Sequence, residues 1–191
     1  MSREDRVSEF ADAALRIVGR DGMVALSFRA VAAEAGWSLG AVQKAFATKQ
    51  ELLLAALERA QVAVVSEVTS RPARPDLRTW LGDLIMETLP FDDARRAAVV
   101  VGIAFSDRAP FDAEIAAILQ GQSAGVREQL VRLLEWRRAD GELRAALDDA
   151  AIARALLAFA GGLAAELIYT PADPGSIDKL VRDTVDALLR P

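Results

Sequence analysis

The side chains that most enzymes use for nucleophilic and metal chemistry are missing from this sequence. Its 191 residues include no cysteine and no histidine, which excludes thiolate nucleophiles, disulfides, Ser-His-Asp triads and metal sites built on those two residue types. Carboxylates are plentiful, with 28 aspartates and glutamates, but a di-metal helical bundle typically supplies Glu-x-x-His motifs as well. We therefore predict no catalytic residues, no metal and no cofactor, and expect a protein that acts by binding.

Positive charge is slightly enriched near the N-terminus. The net charge is −5, but residues 1–50 carry seven basic against six acidic side chains, whereas the rest of the chain carries sixteen against twenty-two. This excess is too small to predict nucleic-acid binding from charge alone. An indication of such binding has to come from a local motif.

Residues 28–47 have the pattern of two short helices joined by a glycine turn. Gly36 lies at the turn, where a positive φ is expected, and Ser38 is placed to cap the second helix. Apolar side chains fall where crossing helices bury a shared face: Val31, Ala35, Trp37, Val42 and Ala45. The cap leaves the positive end of the helix dipole facing outward, so the second helix can enter a major groove. The alternative is an αα-hairpin in which the glycine only turns the chain.

Helical periodicity extends along the whole sequence. Apolar residues at three- and four-residue steps, scarce β-branched alternation and abundant alanine and leucine predict an all-α fold of about nine helices. The predicted ranges are 3–20, 28–35, 39–46, 49–70, 76–89, 93–107, 111–139, 148–169 and 175–189. Thr48 and Glu51 form a capping box at the start of the fourth helix. The proline-containing residues 71–75 are the clearest linker.

Two features predict the compartment. No apolar run reaches the ~18 residues that a membrane span needs, and the charged N-terminus lacks the apolar core of a signal peptide. We therefore expect a cytoplasmic protein without a membrane partner.

Residues 7–52 resemble the DNA-binding domain of the TetR/AcrR family of regulators. The resemblance lies in three segments, 27–29, 32–38 and 40–52. The family pattern is Ser-x-Gly-x-aliphatic-Tyr, about two variable residues, Phe, one more residue, Ser/Thr-Lys and a leucine. It is matched at Ser38, Gly40, Val42, Phe46, Thr48, Lys49 and Leu52.

Two positions depart from that pattern. Gln43 stands where the family usually has a tyrosine that reaches a phosphate, and Ala45 replaces a common histidine or tyrosine. Glutamine can still donate to a phosphate, or it can read a base edge, adenine being its natural partner. The departures affect the detailed contacts rather than the domain.

The resemblance implies a set of DNA contacts. Ser27 and Lys49 would hold phosphates, and Arg29 would bind the DNA backbone or reach toward the minor groove. The third helix would present its groove-facing side to the bases. The complete predicted set is Ser27, Arg29, Ser38, Leu39, Gly40, Ala41, Gln43, Lys44, Thr48 and Lys49.

From residue 76 onward, the helix spacing and the Gly161-Gly162-Leu163 stretch resemble the BetI-type subgroup of C-terminal domains. That resemblance implies an effector bound inside a helical bundle and a homodimer formed through the last two helices. The large side chains available to line an effector pocket are Trp80, Met86, Phe105, Phe111, Trp136 and Phe159. For each of these, ordinary core packing is the alternative.

The eighth helix is apolar on all sides, so it has to be covered from several directions. A partner subunit can supply one of them, and an ordinary monomer core is the alternative. The ninth helix adds a second apolar stripe, and two helices from each protomer make a two-fold interface. The predicted dimer residues are Leu156, Phe159, Leu163, Leu167, Ile177, Leu180, Val181, Val185 and Leu188.

The sequence thus predicts a transcription regulator and not an enzyme. Its parts are a helix-turn-helix domain at residues 1–48, a connecting helix at 49–70, and a helical effector-binding and dimerisation domain at 71–191. We expect a homodimeric repressor that an unknown small molecule releases from a near-palindromic operator in double-stranded DNA. The alternatives are a helical adaptor and an effector-independent DNA binder.

Overall fold

The computed structural model describes residues 3–69, 76–143 and 145–191, with the side chains of these ranges except those of 60–69. In these ranges the chain forms α-helices and two short 3-10 turns, Met23–Ala25 and Ala109–Phe111, and no strand. The helices are α1 (Arg3–Asp21), α2 (Phe28–Ala35), α3 (Leu39–Ala45), α4 (Lys49–Thr69), α5 (Leu77–Thr88), α6 (Asp93–Arg108), α7 (Ala113–Ala139), α8 (Asp149–Tyr169) and α9 (Pro174–Leu188).

The all-α prediction is confirmed. Each helix begins and ends within two residues of its predicted bounds, because the caps, glycines and prolines that end helices act through local hydrogen bonds and backbone angles. The linker predicted at residues 71–75 lies outside the described residues.

The helices belong to two compact units. The first comprises Met1–Glu67 and Pro90–Ala104, and the second comprises Val68–Leu89 and Phe105–Pro191. Two helices, α4 and α6, therefore each contribute residues to both units. Each unit is a group of residues in mutual contact. The assignment of functions to residues 1–48 and 71–191 stays a prediction.

The first unit is built around α1, which packs against α2 and α3. Phe10 on α1 is fully buried and lies edge-on to two other rings. Its ring centroid is 5.9 Å from that of Trp37 and 6.3 Å from that of Phe46. Aromatic pairs in this geometry are favourable beyond the apolar area that they bury, so α1 fixes both ends of α3.

The second unit is a helical bundle in which α5 packs against α9 and α7 against α8. Ion pairs join α5 to α9, with 2.8 Å between Arg78 and Asp186 and 3.2 Å between Arg182 and Asp83. The core includes fully buried side chains from five helices: Leu81, Phe105, Leu134, Ile152 and Val181. Ion pairs thus lie beside the apolar contact between α5 and α9. Burial of the apolar side chains contributes more to stability than these ion pairs do.

One helix of the described part of the chain, α8, is long and apolar enough to cross a membrane. Its best 18-residue window has a mean hydropathy of 1.7, and 39% of that window is buried. Ile152, Leu156 and Leu163 on this helix are buried within the second unit. The core helix of a helical bundle is equally long and apolar, so it passes the same test of length and composition as a membrane-spanning helix.

Candidate DNA-binding site

The turn between α2 and α3 has the geometry that its residue types predict. Gly36 adopts the left-handed conformation, with φ of 72°, directly after α2. The amide of Trp37 donates to the carbonyl of Ala32 at 2.8 Å, which closes the turn. Ser27 caps the start of α2, its Oγ accepting from the amide of Ala30 at 3.1 Å. A side chain at position 36 would be strained at this φ. Glycine therefore allows the tight turn that sets the angle between the two helices.

The helix α3 is anchored on one side only. Its Val42 is fully buried, and Phe46, which ends the helix, is 5% exposed. The Oγ of Ser38 accepts a hydrogen bond from the amide of Ala41 at 3.2 Å, which caps the helix at its start. These contacts hold a seven-residue helix that is too short to be stable alone.

The opposite side of α3 is open. Ser38, Gly40, Gln43 and Lys44 are exposed, and the side chains of Gln43 and Lys44 make no ion pair or hydrogen bond with the described residues. The remaining predicted positions on this helix, Leu39 and Ala41, are half-buried. A Cβ added at Gly40 would meet only the Oγ of Ser38, at 4.0 Å. The protein's own packing therefore does not require glycine at position 40.

The predicted phosphate-binding side chains at the starts of α2 and α4 are also exposed. The Nζ of Lys49 donates to the carbonyl of Met23 at 3.3 Å, which holds the ammonium beside the turn that precedes α2. Thr48 caps α4, since its Oγ1 accepts from the amide of Glu51 at 3.1 Å. Arg29 has no ionic or hydrogen-bonding partner in the described part of the chain.

The capping box at this position differs in one detail from the standard form. The carboxylate of Glu51 accepts from the amide of Ala47 at 2.8 Å, one residue before the cap itself. The amide of residue 47 thus gains a partner that secondary structure does not supply. The chain between α3 and α4 is fixed as a result.

An ion cluster joins α1 to α2 and was not among the sequence predictions. The carboxylate of Glu34 accepts from Arg16 at 3.0 Å and from Arg20 at 3.1 Å. These two hydrogen bonds, the one from Arg16 first, hold the pKa of Glu34 below its usual value. The four-residue spacing of the arginines, which places both on one face of α1, is the signal that indicates a shared partner.

The six residues predicted to line an effector pocket are not alike in the structure. Phe105 is buried, whereas Phe111 is 91% exposed and Trp136 is 41% exposed. The other three, Trp80, Met86 and Phe159, are half-buried. A cavity of about 310 Å³ in the second unit is lined by none of the six. Its lining residues are Asp76, Leu77, Arg78, Arg137, Glu142, Leu143 and Leu189.

Most of the residues predicted for the dimer interface lie inside the protomer. Six of the nine are less than 9% exposed: Leu156, Leu163, Leu167, Ile177, Val181 and Val185. Leu180 is 45% exposed, and Phe159 and Leu188 are half-buried. The outer surface of α8 consists largely of small residues, including Ala158, Gly161 and Gly162. The buried six are covered within the protomer, and the exposed residues are the ones available to a partner.

Two family models together match most of the chain. The model of the BetI-type transcriptional repressor C-terminal domain matches residues 75–190. The model of the bacterial regulatory proteins of the tetR family matches residues 10–56, which contain the turn, α3 and the start of α4. The resemblances found in the sequence are confirmed by both matches.

Individual relatives agree with these matches. The nicotine-responsive transcriptional repressor HdnoR of Paenarthrobacter nicotinovorans is 45% identical over 56 residues, which is 29% of each chain. The transcriptional regulator PksA of Bacillus subtilis (strain 168) is 26% identical over 180 residues, or 94% of this chain and 85% of PksA. The crystal structure of the multidrug binding protein EbrR with ethidium superposes with a TM-score of 0.71 at 27% identity, covering 97% of this chain and 99% of EbrR.

Proposed function

The chain belongs to the TetR family of bacterial regulators, with a BetI-type C-terminal domain, and from that premise we propose how it acts. It is a transcription regulator that binds DNA. We propose that it works in the cytoplasm as a homodimeric repressor, without catalysing a reaction. A small molecule bound by the second unit would release it from a near-palindromic operator.

The observation that carries this proposal is the one-sided anchoring of α3. Val42 and Phe46 hold the helix, while Gln43 and Lys44 point away from the protein without partners among the described residues. An exposed short helix of this kind enters a major groove with its first residues against the base edges. Gly40 and Ala41 have small side chains, which lets the backbone of α3 approach the DNA closely.

Phosphate contacts would flank α3 on both sides. Ser27 and Arg29 lie at the start of α2, and Thr48 and Lys49 lie at the start of α4. Such contacts fix the register of a protein on the duplex without reading sequence. Gln43 reads a base if it reaches the groove floor, and it contributes to register if it reaches a phosphate.

Affinity for DNA tests the phosphate role directly. Lys49→Ala is expected to weaken binding to operator and random duplex alike and to lower the salt slope by about 0.9, one phosphate's share. The matched control is Lys179→Ala, which removes the same charge from α9 and is expected to leave the slope unchanged. The measurement is fluorescence anisotropy with duplexes from upstream of the chain's own gene, at several salt concentrations. Equal slopes for the two variants would contradict the assigned contact.

The same measurement separates the regulator from a helical adaptor. An adaptor would give no binding at low salt, and Arg29→Ala and Lys49→Ala would then have no effect. If the chain binds DNA and both substitutions weaken that binding, the result supports the regulator over the adaptor.

Ethidium is the first probe for the effector, because it is bound by EbrR, which matches this chain over nearly its full length. A ligand-responsive repressor is expected to leave its operator as the probe is added. Ethidium also binds duplex DNA, so its binding to the protein is measured first by calorimetry without DNA. A chain that binds the probe and keeps its operator affinity would be an effector-independent DNA binder.

A further inference from the structure

A cavity of the second unit lies where the start of α5, the end of α7 and the end of α9 meet. Its volume is about 310 Å³, at the lower end of the range of about 300–1,000 Å³ that small-molecule sites occupy. All of its lining residues belong to the second unit, and none is among the six predicted for the effector. The cavity is therefore a candidate site separate from those six residues.

Part of the cavity wall is apolar. Leu77 on α5, Leu143 after α7 and Leu189 after α9 line it, and all three are buried. Hydrocarbon that displaces water from such a surface is stabilised by the apolar area that it covers. This part of the wall thus favours a ligand with an apolar body.

Four charged residues also line the cavity, and one of the four is buried. Arg137, in the last turn of α7, is 5% exposed, whereas Asp76, Arg78 and Glu142 are exposed. The interior is thus positive, although two arginines and two carboxylates balance in number. A guanidinium removed from water is stabilised by anions and polar acceptors, so the interior favours an anion over a cation.

Both carboxylates at the cavity already have partners. Glu142 forms an ion pair with Nη1 of Arg137. The Oδ1 of Asp76 accepts from the amides of Arg78 and Thr79 at 3.0 and 3.1 Å, and its Oδ2 accepts from the hydroxyl of Thr79 at 2.6 Å. The hydroxyl of Thr79 and then its amide hold the pKa of Asp76 below its usual value. A cationic ligand would have to compete with these bonds.

The guanidinium of Arg137 is held in place and can bind a second carboxylate. It has five N–H donors in one plane, and a single carboxylate takes at most two of them. Trp136 lies over one face of the group, with 5.1 Å between Cζ and the ring centroid. The amides of Glu142 and Leu143 donate to the carbonyl of Arg137 at 3.0 and 3.3 Å. A charged group fixed in this way loses little freedom when it binds a ligand.

We propose that this cavity binds a small monocarboxylic acid with an apolar body. Its carboxylate accepts from the guanidinium of Arg137 beside Glu142, and its hydrocarbon part contacts the three leucines. Arg78 adds a second positive charge, and its Nη2 holds the end of α9 by donating to the carbonyl of Leu189 at 3.1 Å. The inference goes beyond the proposed function, because it requires neither DNA nor a response of the regulator to the acid.

Calorimetric titration of the full chain without DNA tests the site. The probe is naphthalene-2-carboxylate. Naphthalene-2-carboxamide has the same shape without the charge, and acetate has the charge without the apolar body. The acid is expected to bind at least about tenfold more tightly than either. Equal affinities for the acid and the amide would overturn the proposal, as would an acid that does not bind.

Arg137→Met removes the guanidinium and keeps an apolar side chain at the same position. It is expected to weaken binding of the acid at least about tenfold and to leave the affinity for the amide unchanged. The matched control is Arg132→Met, the same exchange on α7 at a side chain that is 64% exposed, with wild-type affinity expected. An Arg137→Met protein that is folded by circular dichroism and binds the acid as the wild type does would overturn the proposal.

Should Arg137→Met fail to fold, Glu142→Gln decides. It removes the negative charge beside the bound acid, so the affinity for the acid is expected to rise about threefold or more. Glu128→Gln makes the same change on the exposed side of α7 and is expected to have no effect. Unchanged or lower affinity in Glu142→Gln overturns the proposal. A wild-type chain that fails to bind its operator would refute the proposed function instead, and these titrations would stand because they contain no DNA.

Discussion

Gly40 shows how a single residue can be placed for a partner rather than for the fold. The surroundings of its Cα are open, since an added Cβ meets only the Oγ of Ser38, at 4.0 Å. Glycine within a helix costs up to about 1 kcal/mol relative to alanine. The fold does not require glycine at position 40, and glycine lowers the stability of the helix. A close approach of the α3 backbone to DNA would account for it.

This interpretation predicts opposite effects of Gly40→Ala on stability and on binding. The free energy of unfolding is expected to rise by up to about 1 kcal/mol, because alanine favours the helix. Operator affinity is expected to fall about tenfold, or ~1.4 kcal/mol, because the methyl group holds α3 away from the groove. Urea unfolding and fluorescence anisotropy measure the two quantities.

The matched control for that prediction is Gly121→Ala on α7. Its added Cβ meets nothing within 4 Å, so a similar gain in stability is expected without any change in operator affinity. Wild-type affinity in Gly40→Ala would show that DNA does not approach this position closely.

At the scale of elements, α1 and α2 are joined by charge as well as by apolar packing. Glu34 on α2 is shared by Arg16 and Arg20 of α1, and all three side chains are partly exposed. Exposed ion pairs contribute little individually. Together, these ion pairs fix the rotation of α2 about its axis relative to α1. The turn at Gly36 follows α2 and sets the direction of α3.

The lowered pKa of Glu34 gives this cluster a pH dependence. Hydrogen bonds from Arg16 and then Arg20 lower the pKa of the folded carboxyl below 4.5, its ordinary value, so the unfolded chain binds the proton more readily. Stabilisation is therefore complete above pH 4.5 and is lost as the pH falls through the lowered value.

Glu34→Gln is accordingly expected to lower the Tm at pH 7 by about 2 °C or less. This difference should shrink as the pH is lowered below 4.5. Glu128→Gln serves as the control, since the Glu128 carboxylate lies 3.8 Å from Arg132 on the exposed side of α7 and is expected to contribute less. Differential scanning calorimetry across pH makes the comparison, and a constant deficit for Glu34→Gln at every pH would contradict the assignment.

For the whole molecule, the proposed dimer depends on the exposed surface of α8 and α9. Leu180 on α9 is 45% exposed, and Gly161 and Gly162 on α8 are exposed as well. Small residues allow helices of two protomers to approach closely, and Leu180 adds apolar area to the contact. A two-fold dimer would also place two copies of α3 about 34 Å apart, the spacing of successive major grooves.

Leu180→Asp is expected to convert the dimer to a monomer, because a charge would be buried unpaired in the interface. Operator binding is expected to weaken strongly with it, since each half-site would have to be bound alone. The control is Val126→Asp on α7, which places the same charge at a position with 41% exposure and is expected to leave the mass unchanged. Light scattering distinguishes the two, and a dimeric Leu180→Asp protein would exclude α9 from the interface.

The sequence by itself determined the helices and the DNA-binding motif. Caps such as Ser27 and Ser38, and the glycine at position 36, act on their immediate neighbours, so their effect can be derived without knowledge of the rest of the chain. The order of α2, turn and α3 follows from these signals, as does the exposure of the side of α3 opposite Val42. The ion cluster at Glu34 was within reach of the same reasoning.

Only the tertiary structure decided which partner each apolar surface has. The stripe of Ile177, Val181 and Val185 would suit a second protomer as well as α5, and periodicity does not distinguish these partners; the structure buries the stripe within one protomer. The cavity beside Arg137 joins residues as distant in the chain as Leu77 and Leu189 and leaves no local signal. Contacts between distant segments depend on how helices are arranged in space, which is information that no short stretch of this sequence contains.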